Sequence, residues 1–496
     1  MLEAYDLDLQ SIQEARRLAT ACREAQRQWA LADQATVDRV CQAMAEAAFA
    51  QAARLGQLAH EETGYGVPLH KRLKNEFASR QVWESIKDVK TVGVIGRDER
   101  RKIIEIAWPV GVIAALTPST NPTSTAIYKV LIAVKARNGI VVAPHPLAKE
   151  CTYEAVRIMA EAGEAAGMPP GLVSCMQAIT LDGTQALMRH YAVSLILATG
   201  GTPMVKAAHS VGKPAIGVGP GNVPVYVDRS ADVPKAAADI VNSKAFDCSV
   251  ICATEQAVVA DKPIAAQLRA EMEKHGAYWV NAEQKAALER ALFFPDGGIN
   301  PRSVGKTPQK LAQLAGITVP GSARVLVADL DGVGKEYPLS REKLTTVLGF
   351  FVEDGWHAGC ERCIQLLKFG GDGHSQVIHA KDEAVIMAFG LEKPAFRIIV
   401  NSWGTMGAIG ASTGVAPALT LAPGGLGGAI SSDNITVTHL LNIKRLAYEL
   451  IPPPELARTP APDVTGHAVP AAPLPQDDVV LEEIVRRVLA RLNTER

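Results

Sequence analysis

The chain has 496 residues, 48% hydrophobic and 21% charged, with a formal net charge of −1 at pH 7. That length exceeds a single core and predicts two or three domains, and the near-zero charge excludes the broad basic field of a nucleic-acid binder. No apolar run approaches the ~18 residues of a membrane span, the first ten residues lack the basic and apolar regions of a signal peptide, and the eight scattered cysteines read as reduced cytoplasmic thiols.

Residues 8–60 are rich in Ala, Gln and Arg, contain no proline and have helical spacing, which predicts two or three helices. A β-hairpin follows over 90–107: apolar runs at 91–95 and 103–106 flank the charged turn 97–101. From Val110 the pattern alternates. Strands are expected at 111–116, 140–143, 195–198 and 225–227, with helices at 124–137 and 148–163 and another beginning at 204–210. The alternation restarts after Cys252, with a strand at 257–260, a helix ending at Lys274, and later strands at 324–328 and 398–400. Continuous apolar strands alternating with helices predict parallel sheets covered on both faces, and a ligand cleft at the carboxyl ends of the strands, between two α/β units.

Cys360 and Cys363 form a CxxC, but its surroundings at 355–369 look helical. With no second pair of thiols or histidines, no metal site is expected. Residues 452–476 hold eight prolines and few apolar side chains, as a linker does. Beyond it, Leu481, Ile484, Val485, Val488, Leu489 and Leu492 recur at helical spacing over 477–496, with acids at the start and arginines at the end.

Three motifs carry the chemistry. Cys252, in Ile251-Cys252-Ala253-Thr254-Glu255-Gln256, is a thiol among small and β-branched neighbours just before a strand. Such a thiol beside backbone N–H groups can ionise, attack a carbonyl carbon and have the oxyanion stabilised; alone it is equally a small buried hydrophobe. Thr199-Gly200-Gly201-Thr202 lies where a strand hands over to a helix, and small residues there let a pyrophosphate approach the helix N-terminus. An ordinary β–α turn has the same composition. The third motif is the polar run 117–125, which contains Asn121 before Pro122.

In this order, and together with Ala143-Pro144-His145-Pro146 and the run Ile216-Gly217-Val218-Gly219-Pro220-Gly221-Asn222, these motifs resemble the aldehyde dehydrogenase superfamily. More narrowly, they resemble its coenzyme-A-acylating branch, which includes the dehydrogenase half of aldehyde–alcohol dehydrogenases and the acetaldehyde and propanal enzymes of bacterial microcompartments. The likeness runs from about Ala15 to about Ile443. It implies an α/β, aldehyde dehydrogenase-like fold of two doubly wound α/β domains. Residues 1–245 would bind NAD(P) and coenzyme A, with the 90–107 hairpin for oligomerisation, and 246–430 would form the catalytic domain. Residues 431–451 would return towards the cofactor region, 452–476 would be the linker and 477–496 a tethered helix.

The resemblance also implies roles. Cys252 would attack the aldehyde, and the amide of Asn121 would hold the oxyanion, unless that side chain merely caps the turn before Pro122. Thr117, Pro118, Pro144, His145, Thr199, Gly200, Gly201 and Gly219 would face the cofactor, and Glu342 would bind the nicotinamide ribose. His374 would assist deprotonation of a thiol or simply pack in a turn. Val218 falls about where hydrolytic relatives carry the glutamate that activates water, which points to coenzyme A as the acyl acceptor. Ala143 replaces a lysine that contacts the adenosine ribose, so NAD is expected with NADP open. Cys248, four residues before Cys252, would share its face were the segment helical.

The expected partners are a short-chain aldehyde, coenzyme A, a second copy in a homodimer or homotetramer, and a microcompartment shell protein reached by 477–496, with neither nucleic acid nor membrane. The expected location is the cytoplasm, in the microcompartment lumen. A hydrolytic enzyme releasing the free acid, and an acylating enzyme for sulfoacetaldehyde, are the alternatives.

Overall fold

The computed structural model describes residues 6–450; the expected linker at 452–476 and the expected amphipathic helix at 477–496 lie outside the described residues. Within them, 6–98 and 103–446 make one compact unit, and 99–102 with 447–450 a small separate one.

The N-terminal stretch folds into helices Leu7–Trp29, Gln34–Ala50 and Ala52–Thr63. The first is capped by Asp6 and buries Ser11, Ala15, Ala19, Cys22, Ala25 and Trp29, a one-sided stripe at three- and four-residue spacing. A five-stranded sheet follows in the order Val173–Cys175, Gly139–Ala143, Val112–Leu116, Val193–Thr199 and Ala215–Val218, parallel throughout. Val112–Leu116 and Gly139–Ala143 are buried at every position, as their unbroken apolar sequence requires. Helix Pro122–Lys135, opened by a proline at its first turn, is buried along its whole length and forms the centre of the main core.

The second sheet has seven parallel strands, ordered Ala277–Trp279, Val325–Asp329, Val347–Glu353, Glu255–Asp261, Val223–Val227, Gln376–His379 and Ile398–Val400. This corrects the expected boundary at 245/246. Val223–Val227 pairs with Glu255–Asp261 and Gln376–His379, so the chain crosses between the sheets at 219–222. The hairpin forms from Val94–Asp98 and Ile103–Pro109, and Leu441–Ala447 adds a third strand to it. Cys360 and Cys363 are buried in helix Trp356–Gly370, where Lys393 Nζ donates to Cys360 Sγ. Among the described residues no group of three or more His, Cys, Asp or Glu is placed to hold a metal, and no helix is long and apolar enough to cross a membrane.

Candidate active site

Helix Val233–Ala245 does not continue into the cysteine segment. Asp247, Cys248 and Ser249 all take left-handed conformations, with φ of 46°, 53° and 66°. Such residues cost on the order of 1–3 kcal/mol each and persist only where surroundings over-determine them. Here the clamp is Asp247, which is fully buried. One carboxylate oxygen accepts from the Val67 N–H at 2.7 Å; the other accepts from Lys71 Nζ at 3.3 Å and from Lys74 Nζ. The Asp247 N–H donates to His70 Nδ1 at 2.8 Å. A Cβ at Gly66 would lie 2.0 Å from Asp247 Oδ1, so glycine is required there. The shared helix face considered for Cys248 and Cys252 does not exist. Cys248 is buried and does not line the cavity that receives Cys252, and burial pushes its thiol up to about 12.

The turn delivers Cys252 to the wall of a cavity of about 780 Å³. Seven of the eight cysteines are buried; Cys252 is the one partly exposed. Its Sγ lies 3.2 Å from His374 Nε2. Burial, with the charge of Glu342 in addition, pushes the thiol up to about 12, whereas Arg397 and the backbone N–H groups of Cys252 and Ala253 act in the opposite sense.

Asn121 opens onto the same cavity. It stands at the N-cap of Pro122–Lys135 but makes no side-chain cap bond, so the turn-cap reading does not hold. Its Oδ1 accepts from Lys74 Nζ at 2.5 Å, and its Nδ2 donates to Val250 O at 3.0 Å and Thr120 Oγ1 at 3.2 Å. Lys74 thereby fixes which way the amide faces and joins Asn121 to the Asp247 clamp.

His374 does not line the cavity; it backs Cys252 and is buried. Its imidazole does not keep the ordinary histidine value near neutrality. Burial, with the positive charge of Arg397 in addition, pushes it down to about 3, so the ring stays neutral. Ser375 and Arg397 complete the cluster: His374 Nδ1 is 3.1 Å from Ser375 Oγ, which accepts from Arg397 Nε at 3.3 Å.

The remaining candidates sit around the cavity. Thr117 and Pro118 follow strand Val112–Leu116, Pro144 and His145 follow Gly139–Ala143, and Thr199 ends Val193–Thr199 before Gly200 and Gly201. Gly219 follows Ala215–Val218, and Glu342 approaches from the second sheet. A Cβ at Gly219 would meet nothing within 4 Å, and at Gly200 or Gly201 only side-chain atoms at 3.7–3.8 Å, so the space before this turn is open. Gly201 is the N-cap of helix Thr202–His209, which has no side-chain cap, and Thr117 Oγ1 is buried without a partner. Open space, uncapped N–H groups and an orphaned hydroxyl at strand carboxyl ends fit a dinucleotide.

Glu342 Oε1 accepts from the Gly221 N–H at 3.0 Å, and burial pushes the carboxyl up to about 7. Val218 lines the cavity with its isopropyl group, so strand Ala215–Val218 presents no carboxylate to the sulfur.

The aldehyde dehydrogenase family model matches residues 5–285, more than half of the chain. The chain belongs to the aldehyde dehydrogenase family. Aldehyde-alcohol dehydrogenase 2 of Entamoeba histolytica is 41% identical over 84% of this chain and 49% of that protein, so the chain spans about half the length of that relative. An acetylating aldehyde dehydrogenase from Geobacillus thermoglucosidasius superposes with a TM-score of 0.89 at 50% identity, covering 91% of this chain and 99% of that one. A propionaldehyde dehydrogenase of Rhodopseudomonas palustris, solved with bound propionyl-CoA, gives a TM-score of 0.80 at 27% identity over 88% of this chain and 94% of that one.

Four members of this aldehyde dehydrogenase site escape sequence reading: Lys74, Asp247, Ser375 and Arg397. Lys74 looks like one more solvated lysine of helix Pro68–Glu76, and Arg397 like the charged edge of a short strand. Only adjacency to Cys252 and His374 hints at Asp247 and Ser375.

Proposed function

We propose that the chain oxidises a short, uncharged aldehyde, acetaldehyde or propanal, and transfers the acyl group to coenzyme A. The observation that carries this reading is a partly exposed thiol on a cavity where Val218, rather than an acid, ends the neighbouring strand. Cys252 sulfur attacks the aldehyde carbon, and the resulting oxyanion accepts from the Cys252 N–H and from Asn121 Nδ2 once that amide releases Val250 O. NAD, when bound, supplies the acceptor for the aldehydic hydrogen and its electron pair. Cys252 is left as a thioester. Water without a positioned base is slower by roughly 10²–10⁴-fold, whereas a thiol is intrinsically nucleophilic and exchanges one thioester for another. Attack by the coenzyme A sulfur releases acyl-coenzyme A and returns Cys252 as thiolate.

The lining favours particular ligands. Among the described residues around the cavity none is lysine or arginine, and Tyr65, Val250, Ile299, Val304, Leu344 and Leu421 make much of it apolar. An anionic aldehyde such as sulfoacetaldehyde would bury its charge unpaired, and the 2′-phosphate of NADP would find no cation, which supports NAD. The expected result is one NADH per active site without coenzyme A, then continuous turnover on its addition. Sulfoacetaldehyde should show kcat/KM about 10²-fold lower than propanal, roughly the penalty of one unpaired buried charge. Sustained turnover without coenzyme A would overturn the acylation reading.

The exposed Val94, Trp108, Ile443 and Leu446 of the three-stranded sheet support a homodimer or homotetramer assembled through it. The amphipathic pattern of 477–496 supports tethering to a microcompartment shell. Deleting 477–496 should then leave turnover intact while the enzyme no longer copurifies with shells; unchanged copurification would exclude that role.

A further inference from the structure

Resting on the reading of Cys252 as the acyl carrier, we propose that Ser375 and Arg397 are positioning residues that fix His374 as a hydrogen-bond donor to the Cys252 sulfur rather than as the base that takes its proton.

The argument is one of donors and acceptors. A guanidinium can only donate, so the Arg397 Nε–H gives its hydrogen to Ser375 Oγ at 3.3 Å. Arg397 has no freedom to turn away: Nη1 donates to Ser432 O at 3.0 Å and Nη2 to Ala422 O at 2.8 Å. Ser375 is 1% exposed, and the acceptor among its partners for its own hydroxyl hydrogen is His374 Nδ1, 3.1 Å away. A buried hydroxyl without an acceptor is costly, so Nδ1 carries the lone pair. The buried ring is neutral, and its proton therefore sits on Nε2, facing Sγ at 3.2 Å.

An N–H aimed at the sulfur favours thiolate over thiol and works against the burial that disfavours the charge. Four other charged or polar groups act on the sulfur: Glu342 opposes the thiolate, while Arg397 and the N–H groups of Cys252 and Ala253 favour it. The S–H bond breaks heterolytically; sulfur keeps the electron pair, and the proton leaves to water in the cavity.

The test is the pH dependence of Cys252 alkylation by iodoacetamide, followed on the Cys252 peptide by mass spectrometry; the other seven cysteines are buried. His374→Gln retains an amide N–H near the Nε2 position but cannot act as a base, so its midpoint should stay near that of the unaltered protein. His374→Ala should raise the midpoint by about one to two pH units, the size of a hydrogen bond to a charged group. Ser375→Ala should raise it as well, and Ser375→Thr should restore it. Equal shifts in His374→Gln and His374→Ala, or no shift in Ser375→Ala, would overturn the proposal. Nitrogen-15 NMR of the unaltered protein needs no variant: it should find the His374 proton on Nε2, and a proton on Nδ1 refutes the assignment. Neither readout uses aldehyde, NAD or coenzyme A, so a missing coenzyme A requirement would defeat the acylation reading separately.

Discussion

Cys252→Ala is expected to lower aldehyde oxidation by at least about 10⁴-fold, because every covalent step of the proposed mechanism passes through that sulfur. The first NADH formed before coenzyme A is added should vanish with it, since no thiohemiacetal forms. Cofactor affinity should be unchanged: the proposed cofactor seat at Thr199–Gly201 and Glu342 makes no hydrogen bond to the thiol. The side chain is partly exposed on the cavity wall and leaves little void, so the stability loss should stay below about 1 kcal/mol. Stopped-flow NADH fluorescence, NAD titration and thermal melting check the three statements. A surviving burst of NADH would remove Cys252 from the chemistry.

Asp247→Leu is expected to give the largest loss of stability, about 3–5 kcal/mol, the usual cost of removing one partner from a buried ion pair. Two ammonium groups, Lys71 and Lys74, would then lie buried without their carboxylate, and the Val67 N–H would lose its acceptor. Leucine would also occupy a left-handed position that aspartate tolerates, at a further ~1–2 kcal/mol. Asp247→Asn separates shape from charge, since it keeps the turn and the Val67 contact but removes the anion. Lys71, Lys74 and the Val67 N–H hold the Asp247 carboxyl below the usual carboxylate range, against the opposing effect of burial. Its contribution is therefore present above the unfolded value near pH 4 and fades as pH falls through the lowered folded value. Urea midpoints across that window should fall in the unaltered protein and stay flatter in Asp247→Asn; parallel curves would show that the anion contributes nothing. Because Lys74 also grips Asn121, both variants should lower kcat more than they raise KM.

How far the sequence could be read follows from what each feature depends on. Strands 111–116, 140–143 and 257–260 are legible because a strand covered on both faces must be apolar throughout. Val347–Glu353 carries an equally apolar run, but Gly349 interrupts it, and Gln376–His379 is short with polar ends. The sheet to which Val223–Val227 belongs is decided by pairing with Val377, some 150 residues later, and no local pattern contains that. The same holds for charge. Lys74 and Asp247 have the composition of surface residues, and only the packing of Pro68–Glu76 against the left-handed turn removes them from water. An isolated histidine titrates near neutrality; its burial beside Arg397, which keeps the His374 ring uncharged, is a property of the folded chain alone.

On the proposed reading, backbone dipoles would hold the phosphate-bearing ligands, because among the described residues the cavity wall carries no lysine or arginine, and that hold would be soft. Spent nucleotide would then be free to depart before the next anion arrives, so that two bulky molecules could occupy one seat in succession without either becoming a trap.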